Sequence, residues 1–441
     1  MMKLRFITLI LMAVLAIGFV SRAASVRVEG SGREVITEVP AASTGIDKIF
    51  TVFNLDGCKV VYTASSPSAQ VTWSSFGYMG AAQAVEVSES TLSRNGAEIT
   101  FSAPEGDTGY VVNENGKLYY FWIVDYAKHY FHVDALTFAD EQECDRTFMV
   151  PAGEADKITY YSINGRAMTL SRDIPLTYST LEADREAMRY NTVTRTETLE
   201  YLSPLMSVQA PLCNTYFTLG ADRFLRKWGL DVDITSPLYT ATAVDAITDV
   251  NKRAHTAENE IKPADDSGLG GSAPLEVEFV AVPTDAAIFT QWEMSPREDF
   301  EDISYSNQSQ EFEHTFYNQG TTYVRFRAAD ASGNCEYISD VYIINIGESS
   351  LKCPNAFSPK GSPGVNDEWR VSYKSIVDFE CYIFNRWGEK LAEFHDPSKG
   401  WDGKRGGKYV PAGVYYYVIK AKGSDGKEYN LSGDINIVNY E

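Results

Sequence analysis

The chain has 441 residues, enough for three or four domains of ordinary size. Hydrophobic residues make up 44% and charged residues 22%, the balance of a folded protein, and an aromatic share of 13% favours strands. With 60 acidic against 39 basic residues the net charge is −21, which repels nucleic acid and anionic lipid headgroups and argues against both as partners. At the start of the chain, Lys3 and Arg5 precede an apolar run from Ile7 to Val20, and Ser21-Arg22-Ala23 supplies the small residues of a cleavage site. Residues 1–23 therefore read as a signal peptide. An uncleaved anchor is the alternative, but the run is short for a membrane span. No Cys follows it closely, so a lipid-modified N-terminus is not expected. No later stretch resembles a transmembrane helix, so no membrane span is expected in the mature chain.

Residues 24–136 read as a β-sandwich. Cys58-Lys-Val-Val-Tyr-Thr-Ala and Val71-Thr-Trp-Ser place a small buried residue on one strand and a Trp on the next. That order resembles an immunoglobulin-like domain, without the second Cys of a true immunoglobulin pair. Asn113-Glu-Asn-Gly-Lys separates Gly109-Tyr-Val-Val from Leu118-Tyr-Tyr-Phe-Trp-Ile-Val as a hairpin turn does, with Gly116 supplying the positive φ. Residues 137–250 read as a second sandwich, with strand-like runs at 147–150, 158–161 and 196–202. The polar stretch 180–189 suits a short helix or loop. The segment 221–229 looks locally helical and ends in a Gly that can cap it. Residues 251–273 are polar, aperiodic and Gly-rich toward their end, the composition of a linker or flexible loop.

Residues 274–347 alternate apolar and polar at Pro274-Leu-Glu-Val-Glu-Phe, carry a Trp strand at Thr290-Gln-Trp-Glu, and alternate again at Thr322-Tyr-Val-Arg-Phe-Arg. This order resembles the PKD-like modules of bacterial surface proteins. The whole chain is thus expected to be all-β, a set of tandem immunoglobulin-like β-sandwiches.

Residues 353–441 carry the most specific pattern. Pro354, Asn355, Phe357 and Pro359 open it, and Asn366 and Asp367 follow ahead of Trp369. Then come Asn385-Arg386-Trp387-Gly388, Trp401-Asp402-Gly403, and Pro411, Gly413 and Tyr415 at the start of a strand. These five motifs in this order resemble the gliding-motility-associated C-terminal domain, the type B sorting domain of type IX secretion. The resemblance implies an outer-membrane secretion and attachment machinery as partner. The family's Asn-Gly-Asp-Gly turn is replaced here by Lys360-Gly-Ser-Pro-Gly, which removes the basis for cation binding there. Apolar residues on both faces of Val414–Ile419 mark a central strand.

Six Cys lie beyond the signal peptide, at 58, 144, 213, 335, 353 and 381. An exported chain meets an oxidising compartment, so disulfides are expected. Cys144 and Cys213 bracket one sandwich and are the candidate pair. Cys381 sits in an apolar alternation and reads as a core thiol. Catalytic chemistry finds no motif. There is no nucleophile elbow, no phosphate-cradling loop and no CxxC pair, and His129 and His132, three apart on a strand, point to opposite faces. No metal and no cofactor are expected. The function read from the sequence is a non-catalytic exported surface protein of a Gram-negative bacterium, in adhesion or structure, with an extracellular protein or glycan as ligand. The competing reading is a glycan- or peptide-binding accessory protein of an uptake or degradative system.

Overall fold

The structure, a computed structural model, describes residues 25–30, 32–253, 257–262, 268–360, 364 and 366–438. The signal peptide read at residues 1–23 lies outside this set. The described part is nearly all strand, with one short α-helix and a few 3-10 turns. No helix in it is long and apolar enough to cross a membrane. The all-β expectation holds.

In the first unit a four-stranded sheet (Ser25–Glu29, Lys59–Thr63, Glu98–Phe101, Leu92–Asn95) faces a six-stranded one (Ile36–Glu38, Lys48–Val52, Lys117–Asp125, Thr108–Glu114, Val71–Phe76, Val85–Glu86). Tyr62, Trp73, Phe101, Tyr110 and Phe121 fill the space between them. The hairpin expected near residue 115 forms. Asn115 and Gly116 take φ of 50° and 90°, and the Asn113 side chain accepts the Gly116 N–H at 2.9 Å. Positive φ at both turn residues gives a twist that matches the flanking strands.

Strand Lys117–Asp125 is apolar on both sides. Phe121 and Ile123 face the core just described, while Trp122 and Val124 face away from it. That second face needs its own cover, and the second unit supplies it. Ile36, Ile49, Phe76, Trp122 and Val124 belong to one continuous core with Leu176, Phe217, Phe224 and Trp228. Water is thereby excluded from apolar surface that one sandwich alone leaves open. The chain passes between the two units through the 3-10 turn Tyr126–His129, whose Tyr126 is itself buried.

The second unit combines a three-stranded sheet (His132–Phe138, Arg146–Glu154, Met206–Gln209), a hairpin (Ile158–Tyr161, Ala167–Leu170) and a four-stranded sheet (Arg189–Leu199, Ile174–Asp184, Thr218–Gly220, Asp233–Thr235). The stretch 180–189, expected as helix or loop, instead completes a long hairpin in which Ile174–Asp184 pairs with Arg189–Leu199 over eleven residues. Ile174, Leu176, Tyr178 and Thr180 are buried in alternation, so a period of two already runs into the stretch and overrides its local helix propensity. The segment near 225 does turn helical. Arg223–Lys227 is capped at its start by Asp222 and followed by Gly229 at φ 70°.

The third unit joins Ala246–Lys252, Leu275–Pro283 and Glu311–Phe316 in one sheet. The facing sheet holds Tyr305–Asn307, Phe289–Ser295, Gly320–Ala329, Glu336–Ile338 and Tyr342–Ile346. Trp292, Phe279 and Phe326 fill its centre. Its first strand thus begins upstream of the stretch 251–273 that was expected to be a linker. The described part of that stretch is held by its neighbours. Asn259 donates to the carbonyls of Val371 and Pro397 at 2.7 and 2.8 Å, Glu260 bridges to Tyr373, and Gly271 bridges to Ile346. A Gly-rich polar composition serves turns pinned by hydrogen bonds as well as free loops.

The candidate disulfide Cys144–Cys213 is corrected. Cys144 is bonded to Cys335, with Cα atoms 5.3 Å apart, and Cys213 is a free thiol. Cys144 lies in the turn between strands His132–Phe138 and Arg146–Glu154, and that tip meets the turn before Glu336–Ile338 in the third unit. Bracketing a domain in sequence does not bring two side chains together. A hairpin tip that reaches the neighbouring unit does. Cys381 is a buried core thiol as expected, pushed up to about 12 by burial and by nearby Cys353.

Candidate functional site

The last unit is built on a five-stranded sheet, Ala356–Phe357, Glu428–Ile437, Gly413–Gly423, Ile376–Phe384 and Lys390–Phe394, with a small second sheet of Ser350–Lys352 and Ser372–Lys374. The motif residues separate into two groups within it.

One group builds the interior. Phe357, Trp401 and Tyr415 form a chain of rings with centroids 5.5 and 5.3 Å apart. Trp401 and Trp369 exchange backbone hydrogen bonds at 2.9 and 3.0 Å, and both are buried. Each indole N–H is satisfied: Trp369 donates to the Pro354 carbonyl at 2.7 Å and Trp401 to that of Lys404 at 3.0 Å. The Tyr415 hydroxyl donates to the Pro411 carbonyl at 2.7 Å, which fixes how the chain enters its strand. Gly403 has φ 73° and a Cβ there would lie 3.0 Å from the Pro359 ring, so only glycine fits without a shift. Asp402 accepts the Lys404 N–H at 3.0 Å, and Asn366 accepts the Ser358 N–H at 2.8 Å through its carbonyl. Asp367 accepts from Gly364 at 2.5 Å, and the Asn355 carbonyl accepts from Asn436 at 2.9 Å. Residues 361–363, which hold most of the altered turn, lie outside the described set.

The other group is displayed. The Asn385 side chain accepts the N–H groups of Trp387 and Glu389, both at 3.0 Å, and Gly388 at φ 77° closes the turn. A turn built this way holds Trp387 outward at 75% exposure. The Arg386 guanidinium lies 4.3 Å from the Trp387 ring centroid. Among the described residues Arg386 makes no ion pair, whereas Arg405 is paired with Glu389. Between this turn and the segment 408–415 runs a groove of about 530 Å³, lined among others by Arg386, Trp387, Arg405, Lys408, Tyr409 and Pro411.

Beside it the strand Gly413–Gly423 is central, paired on both edges, as its two apolar faces suggested. Only one face is covered. Val414, Tyr416 and Val418 are 46%, 45% and 38% exposed and form an open apolar row next to the groove. Contiguous exposed apolar surface on a folded module is where partners commonly dock. Charge sets the module apart as well. Residues 351–441 hold 13 Lys and Arg against 12 Asp and Glu, so all of the negative net charge lies on the rest of the chain. Sequence reasoning missed Arg405, Lys408, Tyr409 and the open row. The two-sided apolar pattern placed this strand at the centre of its sheet, but such a pattern does not say which face is left uncovered.

Residues 351–437 match the family model of the CHU_C type IX secretion signal domain. Residues 137–236 match that of a fibronectin type III domain, an identity the sequence reading left as an unassigned sandwich. No curated protein sequence matches the chain. Solved structures similar to it include a tetra-tandem repeat in the extending region of a large adhesion protein (12% identity, covering 88% of this chain and 100% of that one, TM-score 0.23). Another is a set of fibronectin(III)-like modules of Clostridium thermocellum CbhA (14% identity, 39% of this chain and 92% of that one, TM-score 0.18). A third covers three N-terminal domains of the highly immunogenic outer capsid protein of bacteriophage RB49 (10% identity, 69% of this chain and 99% of that one, TM-score 0.21).

Proposed function

We propose that this chain is an exported, non-catalytic surface protein whose last unit is read by an outer-membrane secretion and attachment machinery. The match of residues 351–437 to a type IX secretion signal domain carries this reading. Ahead of that unit stand three sandwiches, the second fibronectin-like and the third PKD-like, which hold recognition loops away from the cell in an adhesive or structural role toward an extracellular protein or glycan. Loops on rigid sandwiches are the usual place for such recognition.

In this reading the displayed groove and apolar row, with Arg386 and Trp387 at their centre, are what the machinery binds. The ring core of Phe357, Trp401 and Tyr415 only holds them in place. The test uses a neutral passenger carrying a signal peptide and residues 351–441. It is expected to appear on intact cells, whereas the passenger without the tail stays inside the outer membrane. Trp387→Ala is expected to change stability by less than about 0.5 kcal/mol. It is nonetheless expected to lower surface display roughly tenfold, the scale set by losing an exposed aromatic anchor. Trp401→Ala is expected to cost about 3–5 kcal/mol by emptying the core. Equal display of the Trp387 variant and the unaltered tail, measured by antibody labelling of intact cells, contradicts the assignment of this surface.

A further inference from the structure

Strand Arg189–Leu199 forms one end of its four-stranded sheet. On its inner side it pairs with Ile174–Asp184 over eleven residues, from Ile174↔Leu199 to Asp184↔Arg189, with no shift in register. On its outer side it pairs with no strand among the described residues. An edge of this length is a template for another strand, and proteins usually shorten it, bulge it or place Pro on it. This edge has none of these. Four Thr and Val193 give it a strong strand preference.

Its three charged residues, Arg189, Arg195 and Glu197, blunt the edge toward most sequences but not toward its own. If a second copy runs antiparallel about Val193, Arg189 lies opposite Glu197, Asn191 opposite Arg195, and Val193 opposite Val193. The two-fold axis repeats the Arg–Glu pair, so the contact holds two opposite-charge pairs flanking an apolar centre. Neighbouring registers lose this. Sliding one strand by two residues in one direction sets Arg189 against Arg195, and in the other direction removes both ion pairs. Register between the two copies is therefore specified by charge. Directly opposed residues share a face. Arg189, Val193 and Glu197 all lie opposite Asp184, Thr180 and Leu176 on the neighbouring strand. The pairing thus keeps the inner faces of both copies on the same side of the joined sheet.

We infer that strand Arg189–Leu199 is the contact through which two copies of this chain associate, by antiparallel pairing centred on Val193. The two four-stranded sheets then become one continuous sheet across a two-fold axis, a closed arrangement that stops at the dimer. The inference is independent of how the chain is exported.

The test is sedimentation of the full exported chain over a range of micromolar concentrations. A concentration-dependent dimer is expected. Arg189→Glu alone, and Glu197→Arg alone, each turn two attractive pairs into two repulsive ones and are expected to weaken the dimer about tenfold. The double variant Arg189→Glu with Glu197→Arg restores opposite charges and is expected to dimerise like the parent. Circular dichroism melts confirm that each variant is folded. The restored dimer separates this contact from loss of the Glu197 bond to Tyr178, which the double variant does not repair. A chain that stays monomeric throughout, a dimer insensitive to the single variants, or a double variant no better than the singles overturns the inference.

Discussion

Asp222→Ala is expected to cost about 3–5 kcal/mol and to loosen the first and second units together. Asp222 and Arg172 have fully buried side chains and meet at 2.9 Å. One Asp222 oxygen caps the short helix by accepting the N–H groups of Phe224 and Leu225 at 3.1 and 2.9 Å. The other accepts from Arg172 and from the Tyr126 hydroxyl, at 2.9 Å in each case. Arg172 in turn donates to the carbonyls of Asp156 and His129. Residues from the connecting turn, from the link between the two hairpins of the second unit and from the cap of its helix therefore converge on one ion pair. Removing the carboxylate leaves a guanidinium in a core that excludes water, which is far costlier than the pair is worth when intact. Tyr126, held above its ordinary range by burial and by Asp222, loses its acceptor at the same time. Denaturant unfolding measures the effect. A loss below about 1 kcal/mol means that water reaches the site and the two units do not share a closed core.

The second large effect is expected from the disulfide. Replacing Cys144 and Cys335 together with Ser removes a cross-link that closes 191 residues. The chain-entropy relation puts its worth at roughly 5 kcal/mol for a loop of that length. The bond joins two units with separate cores, so its loss is expected to fall on their docking rather than on either fold. Unfolding of the double variant is expected to begin at lower denaturant, with the third unit separating first. The parent protein treated with a thiol reductant is expected to behave in the same way. A parent chain whose unfolding is indifferent to reductant contradicts this assignment.

The sequence carried the fold class and the last unit well, for physical reasons that particular residues show. Phe357, Trp401 and Tyr415 are large, rare side chains at separated positions, and their meeting in one ring chain is what makes the motif order specific. The Asn115-Gly116 turn was legible because its backbone needs positive φ twice. The second unit was harder. Its only Trp, Trp228, sits just after a helix rather than on a strand, so the marker used for the other units was missing. The hairpin through residue 185 was obscured by the helix-forming residues at its tip. The partner of Cys144 was not readable at all, because it depends on how two units dock. The open row at Val414, Tyr416 and Val418 shows the limit of pattern reading, since periodicity says which residues share a face but not whether anything covers it.

The central claim is that residues 351–441 direct this chain to the cell surface. Its most direct test is to express the chain with and without those residues, fractionate the cells, and probe intact ones with an antibody against the first unit. The full chain is expected at the surface or in the medium, and the shortened chain in the periplasm with its sandwiches folded. If both forms reach the same place, the last unit is a structural module and the account of this protein as a type IX surface protein is wrong.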